Sequence, residues 1–402
     1  MHLIVNNANT EWPSEIKRKW NIKYDPKTHR LRCQGHILNL AANSFLFVTD
    51  NEDLEDDDER ELCKVTLKDI EEWRRKGPLG KLHNFIVFIQ RSVQRLGKFL
   101  DLSRGHHLAR DNCTRWNSWE RMLTVALALR DAIEDYFDQW EDDECAADKL
   151  TDEEWVTLEN IRSFLNKLKM ATKALEGHAA TLDRVLPSMD FILDVFERGK
   201  RASTENVIMA PMYNSGWRKL DKYYQLTDDS PAYVAAIILH PQHKWQYVQT
   251  NWQEEWIEPA KKLMRSLWDE YKPVNTSPAQ PTTTLRSTND FLLWMSHQYQ
   301  DELPIDEYER YCRAERVQVD SALGWWLEET QQKAYPNLSR LALDILSIPA
   351  MSAEPERLFS GAKITITDRR NRLDADTIEA LECLKSWFGI RDWETVHLPA
   401  GC

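Results

Sequence analysis

At 402 residues, 42% hydrophobic and 29% charged, the chain has enough apolar material for a substantial core and too much for wholesale disorder. A formal net charge of −13 excludes a surface built throughout to hold nucleic acid, so any DNA contact must be local. Seven cysteines, at 33, 63, 113, 145, 312, 383 and 402, contain no C-x-x-C pair, which argues against a disulfide framework or a zinc module and for a reducing compartment.

The start, MHLIVNNANTEW, has neither the basic lead nor the apolar core of a secretory signal, and no run reaches the ~18 apolar residues of a membrane span. Leu3 to Val5 reads as a buried strand stopped by Asn6 and Asn7. A helix led by Pro13 and a turn at Asp25-Pro26 precede a second candidate strand, His29 to Cys33. Gly35 to Val48 then presents a helical apolar face of Ile37, Leu38, Leu40, Ala41, Phe45 and Leu46. The acidic run from Asp50 to Glu61 reads as a solvated loop without a function of its own.

From Glu71 to Lys272 the pattern is helical almost throughout, and 12 Gly against 17 Trp suits long helices with aromatic anchors. One stripe runs Leu82, Phe85, Ile86, Ile89, Val93, Leu96; a second runs Met122, Leu123, Ala126, Leu129, Ile133, Phe137; a third runs Phe164, Leu168, Ala171, Leu175. All three are expected to be core. Lys272 to Ser287, rich in Pro, Thr and Ser, reads as a linker, and helices resume over Asn289 to Tyr299 and Leu303 to Arg313.

The last hundred residues predict an amphipathic helix over Ser321 to Ala334, broken by Pro336, then a near-continuous apolar helix over Leu338 to Leu346 ended by Pro349. A helix with Pro355 in its first turn starts at Ala353, and Thr377 to Phe388 forms a last one presenting Ile378, Leu381, Leu384 and Trp387. So much apolar area near a terminus is expected to need a partner surface, for which Leu341, Ile345, Leu346, Leu381, Leu384 and Trp387 are the candidates.

Three segments carry a family likeness: RLRCQGHILNLAANSFLF from Arg30, with Cys33 and His36; RDNCTRWNSWERML from Arg110, with Arg115 and Trp116; and Ala342 to Trp387, containing PERLFS. In order and spacing they resemble the hAT transposases, fungal members especially, and the third resembles their C-terminal dimerisation segment. The resemblance implies a mainly α protein with a small α/β part, a truncated RNase H-like fold split by a large helical insertion. On that reading 1–48 is a remnant of the core with its fourth and fifth strands, 49–272 the insertion, 273–288 a linker, and 289–402 the end of the insertion, the Glu-bearing helix and the dimerisation region.

The family's strand cleavage uses three acids around two divalent ions, Mg²⁺ or Mn²⁺, which take oxygen ligands. Glu356 stands at the position of the catalytic Glu, whereas Asn6 stands where the second acid should be. An amide brings no charge to a hard dication, so that site is weakened. On this reading the chain begins at the fourth strand, so the first three strands with the first acid, and the family's zinc-finger domain, are expected to be absent, leaving one of the three acids.

The resemblance also implies DNA contacts at Cys33, His36, Arg115 and Trp116. Read from the residues alone, a histidine such as His36 is more often a satisfied structural group, and Trp116 is either a buried anchor beside Trp119 or a ring for stacking on an exposed base, both of which stay open. Lys363, Arg369, Arg370 and Arg372 could hold phosphates or pair with Asp368, Asp374 and Asp376. The functional expectation is a nuclear, transposase-derived protein that self-associates and binds DNA weakly, is catalytically inactive and carries no cofactor. The alternatives are an active enzyme using Mg²⁺ or Mn²⁺ and a domesticated regulator or scaffold.

Overall fold

The structure, a computed structural model, describes residues 25, 28–48, 75–111, 116–140, 145–176, 180–272, 306–351, 377 and 383–384. The chain divides into two units, Met1–Ala350 and Met351–Cys402. Of the second unit, Met351, Thr377, Cys383 and Leu384 are described, the last three in helical conformation.

The mainly α expectation holds. The first unit runs α1 (Gln34–Phe47), α2 (Pro78–Gln90), α3 (Val93–Leu102), α4 (Trp116–Ala128), α5 (Arg130–Gln139), α6 (Asp152–Leu175), α7 (Val185–Ala202) and α8 (Met209–Gln225). It continues with α9 (Pro231–Ile238), α10 (Lys244–Asn251), α11 (Glu254–Tyr271), α12 (Glu307–Arg313), α13 (Ala322–Leu327), α14 (Glu329–Ala334) and α15 (Pro336–Leu346). Among the described residues β structure is limited to isolated bridges, such as Thr181 with Pro349. The strand expected at His29 to Cys33 is a bend followed by a single bridging residue, Leu31, because the backbone turns toward other partners: the Arg32 N–H donates to the Tyr233 hydroxyl at 3.0 Å. The strand Leu3 to Val5, the acidic run, the 273–288 linker and the helix Asn289 to Tyr299 lie outside the described residues.

Local chemistry sets the helix ends. Thr151 and Glu154 form a reciprocal capping box at the start of α6, and Asp152, Glu153 and Glu154 in its first turn complement the helix dipole. The third expected stripe lies whole on this helix. The first stripe does not stay on one helix. Ser92 leaves helical geometry and accepts the Arg95 N–H, ending α2 and starting α3, and Val93 is left 86% exposed. The second stripe divides at Leu129 between α4 and α5. Likewise the helix expected over Ser321 to Ala334 is two, since Glu328 adopts an extended ψ of 135° between α13 and α14.

The core of the body is a ring cluster. Phe45 of α1, Phe164 of α6, Phe196 of α7 and Tyr213 of α8 meet with centroids 4.1 to 6.3 Å apart. Gly216 makes the approach of α8 possible: a Cβ there would lie 2.4 Å from the Phe196 ring and 3.0 Å from the Phe45 Cβ. A second aromatic group, Tyr311, Trp325, Trp326 and Tyr335, knits α12, α13 and the start of α15, and the Trp326 indole donates to the Leu239 carbonyl at 2.7 Å.

Candidate functional site

The first turn of α1 is where separated parts of the sequence converge. Cys33 is its N-cap, in extended conformation and 2% exposed. The Gln34 N–H donates to the Ala350 carbonyl at 3.2 Å, and its side-chain amide donates to Ser188 Oγ at 3.1 Å. Ala350 is in turn held by its own N–H to the Ala180 carbonyl at 3.1 Å, while the Leu182 N–H donates to Ile348 at 2.9 Å. Pro349, with no N–H to give, sits between the two pairing residues. The start of α1 is thus fixed by backbone bonds to a segment that, in sequence, ends six residues before Glu356.

His36 follows Cys33 by three residues and is half-buried, as is Asn39 one turn further on. Asn39 Oδ1 accepts the Trp116 N–H at 3.4 Å, so the C-x-x-H turn and the Arg-Trp segment meet in space. Trp116 opens α4 and is 3% exposed, with Trp119 at 1%. In this structure Trp116 is a core anchor, and its ring would have to turn outward to stack on a base. Behind it, Trp119 meets the rings of Phe47 at 5.5 Å and His83 at 6.0 Å, and His83 Nδ1 bonds Asp111 Oδ1 at 2.7 Å.

The apolar residues expected to face a partner divide. Leu341 and Leu346 are fully buried and Ile345 is 7% exposed, because α15 packs against α9, α11, α12, α13 and α14 of the same chain. The α15 part of that area is covered by this chain's own helices. Leu384 is 43% exposed. Glu356, Asn6, Arg115, Arg369, Arg370, Leu381 and Trp387 lie outside the described residues. Among the described residues there is no group of three or more His, Cys, Asp or Glu arranged to hold a metal ion, and no helix long and apolar enough to cross a membrane.

The sequence reading passed over a polar cluster around His240, His243 and Lys244, whose signal was the string HPQHK. Lys244 takes a positive φ of 47° and sends its ammonium to the carbonyls of Tyr311 and Ala314, at 2.7 Å each, and of Glu315 at 3.2 Å. It caps the C-terminus of α12 and lies 4.4 Å over the Tyr311 ring, while burial pushes its pKa down. The His240 imidazole is pushed down to about 3 by burial, then by His243 and Arg184. The Asp183 carboxylate, 3.9 Å away, does not offset that burial. Asp190 accepts the hydroxyls of Tyr224 and Tyr247 at 2.7 Å and the Trp252 indole at 3.3 Å, yet burial still raises its pKa. Of these groups, His240 lies nearest the 180–182 and 348–350 junction, through Asp183 beside Leu182.

Comparison with known proteins agrees with this architecture. The hAT family C-terminal dimerisation region matches residues 307–388, and the ZBED1 RNase-like helical domain matches 31–164. The chain is 26% identical over 87% of its length to a Talaromyces stipitatus protein described as a transcriptional regulator, tpeD, covering 40% of that protein. It is 25% identical over 93% of its length to the zinc finger BED domain-containing protein RICESLEEPER 2 of Oryza sativa, covering 52% of it. With a Zea mays protein named as an AC transposase it shares 22% over 94% of its length, covering 46%. The chain therefore spans about half the length of the curated relatives it matches. It is a hAT-transposase-related protein, carrying that family's C-terminal dimerisation region together with a helical domain of the ZBED1 RNase-like type.

Proposed function

We propose that this chain is a transposase-derived protein that self-associates and contacts DNA but does not cut it. The observation that carries the reading is the match of the dimerisation region over 307–388, which supports a homodimer or higher oligomer. The helical-domain match supports taking the described helices as the insertion of an RNase H-like fold. DNA contact is assigned to the face of α1 bearing His36 and Asn39, beside Cys33 and the start of α4, with Arg115, Arg369 and Arg370 as further phosphate partners. A protein with these partners works in the nucleus.

Loss of cleavage is argued from charge. A two-ion site needs carboxylates to hold Mg²⁺ or Mn²⁺, and Asn6 offers an amide where the resemblance expects Asp, leaving Glu356 with less help. The relative named as a transcriptional regulator favours a second reading, a domesticated regulator or scaffold that keeps association and DNA contact. The relative named for the AC transposase favours an active enzyme that uses Glu356.

The test is cleavage and strand transfer on labelled transposon-end DNA with Mn²⁺, using the full chain and its Glu356→Gln variant. No cleavage by either, with a dimer in light scattering, is the expected result. Cleavage by the parent that the substitution abolishes would overturn it.

A further inference from the structure

Helix α3 has just one buried side chain, Phe99. From Arg91 to Arg110 the chain carries five cations, Arg91, Arg95, Lys98, Arg104 and Arg110, against one carboxylate, Asp101, in a protein of net charge −13. Arg95 and Lys98, three residues apart, fall on one side of α3, while Arg91 ends α2 across the Ser92 break; Arg91, Lys98, Arg104 and Arg110 are all exposed. The Arg95 guanidinium lies 3.7 Å over the Phe88 ring and the Lys98 ammonium 5.1 Å from the Trp140 ring, so aromatic faces orient these side chains.

Beyond the helix the chain reverses on a defined turn. Arg104 and Gly105 take φ values of 55° and 83°, the Gly105 N–H donates to the Leu100 carbonyl at 2.8 Å, and Ser103 Oγ donates to the His106 carbonyl at 2.6 Å. This leaves Arg104, His106 and His107 exposed, and Gln90 Nε2 then ties the returning chain down at Leu108 with a 3.1 Å bond. On the neighbouring helix α5, Glu134 and Asp138 are paired with Arg130 and Lys149, and Asp131 and Asp135 are exposed.

We propose that the Arg91 to Arg110 surface is a contact for the phosphate backbone of nucleic acid, separate from the first turn of α1 and indifferent to base sequence. It rests on the DNA-contact reading above and adds a second site to it. Exposed cations at Arg91, Lys98, Arg104 and Arg110 suit a polyanion of regular charge spacing. An acidic protein segment would also want apolar anchorage, and Val93 is the one large apolar side chain exposed here.

The test compares the full chain with a triple variant, Arg91→Gln, Lys98→Gln and Arg104→Gln, on a fluorescent duplex of mixed sequence in a salt series. The variant should bind at least about tenfold more weakly at low salt, and its slope of log affinity against log salt should be shallower by about 2.7, three phosphates at ~0.9 each. Thermal melting should be unchanged, and a control that exchanges Arg for Lys and Lys for Arg at the same positions should keep the parent slope. A triple variant with the parent's slope overturns the proposal, as does one that loses only a polyglutamate peptide. If His36→Ala weakens DNA binding while the triple variant does not, this site fails and the α1 reading survives. If the parent binds no duplex, both fail.

Discussion

Helices α1 and α15 look alike in sequence, each an apolar stretch inside a motif, yet the fold gives them different exposures. Both bury an apolar face within the chain: Ile37, Leu38, Ala41, Phe45 and Leu46 on α1, and Leu338, Leu341, Ala342, Ile345 and Leu346 on α15. On α15 the exposed residues are Pro336, Arg340 and Asp344, with Leu343 half-buried, and Asp344 accepts the Tyr271 hydroxyl at 2.7 Å. Helix α1 keeps a half-open polar side, His36 and Asn39, against the start of α4. Apolar richness therefore marked core in both, and it is the polar residues on the half-exposed face that distinguish a candidate contact from a packing element.

The largest expected effect breaks α15. Leu341→Ala should cost about 2 to 5 kcal/mol in denaturant unfolding, from lost burial and the cavity left behind, while the folded fraction still associates in light scattering. Leu384→Asp should do the reverse, shifting stability by less than about 0.5 kcal/mol and weakening association. Were Leu341→Ala to dissociate the protein without destabilising it, α15 would be an interface after all.

On the α1 side, Gly216→Ala pushes a methyl into the Phe196 ring and toward Phe45, and should cost about 1 to 3 kcal/mol. An unchanged melting temperature would mean that α8 sits further from α1 than described.

A third prediction concerns the junction that both helices share. His240 is neutral in the fold, with its pKa near 3, whereas the unfolded chain takes up a proton below about 6.5. Because the unfolded state then binds more protons, stability is full above that range and falls as pH drops from about 6.5 toward 3, with a slope of up to ~1.4 kcal/mol per pH unit from this group. The depressed His243 adds in the same direction. Urea unfolding across this range should show the slope, and His240→Asn should flatten it.

The smallest effect is expected from Asp344→Ala, which removes the acceptor of an exposed hydrogen bond and should cost about 0.5 kcal/mol. A loss of several kcal/mol would show that the outer side of α15 is not the solvent-facing side described.

Much of this was legible in the sequence. Helical periodicity gave the mainly α class, and the α6 stripe was read whole because its capping box lies at the start of one uninterrupted run. Periodicity failed at Ser92, Leu129 and Glu328, where one apolar stripe continues across two helices. A stripe records which side chains are apolar, and a single backbone turn inside it leaves that pattern intact. The HPQHK cluster went unread because its partners, Tyr311 to Glu315 and Asp183, are about 60 or more residues away in sequence.

By itself the sequence determined the helical class and the motifs at Cys33, His36 and Trp116, since each depends on residue type and short spacing. Only the tertiary structure decided which apolar helix is covered, that Trp116 is buried, that Ala350 meets Gln34, and that Arg91, Lys98, Arg104 and Arg110 are exposed. Those are properties of neighbours far apart in the chain. Burial and charge clustering are set by what packing brings alongside a residue, and local pattern does not carry that information.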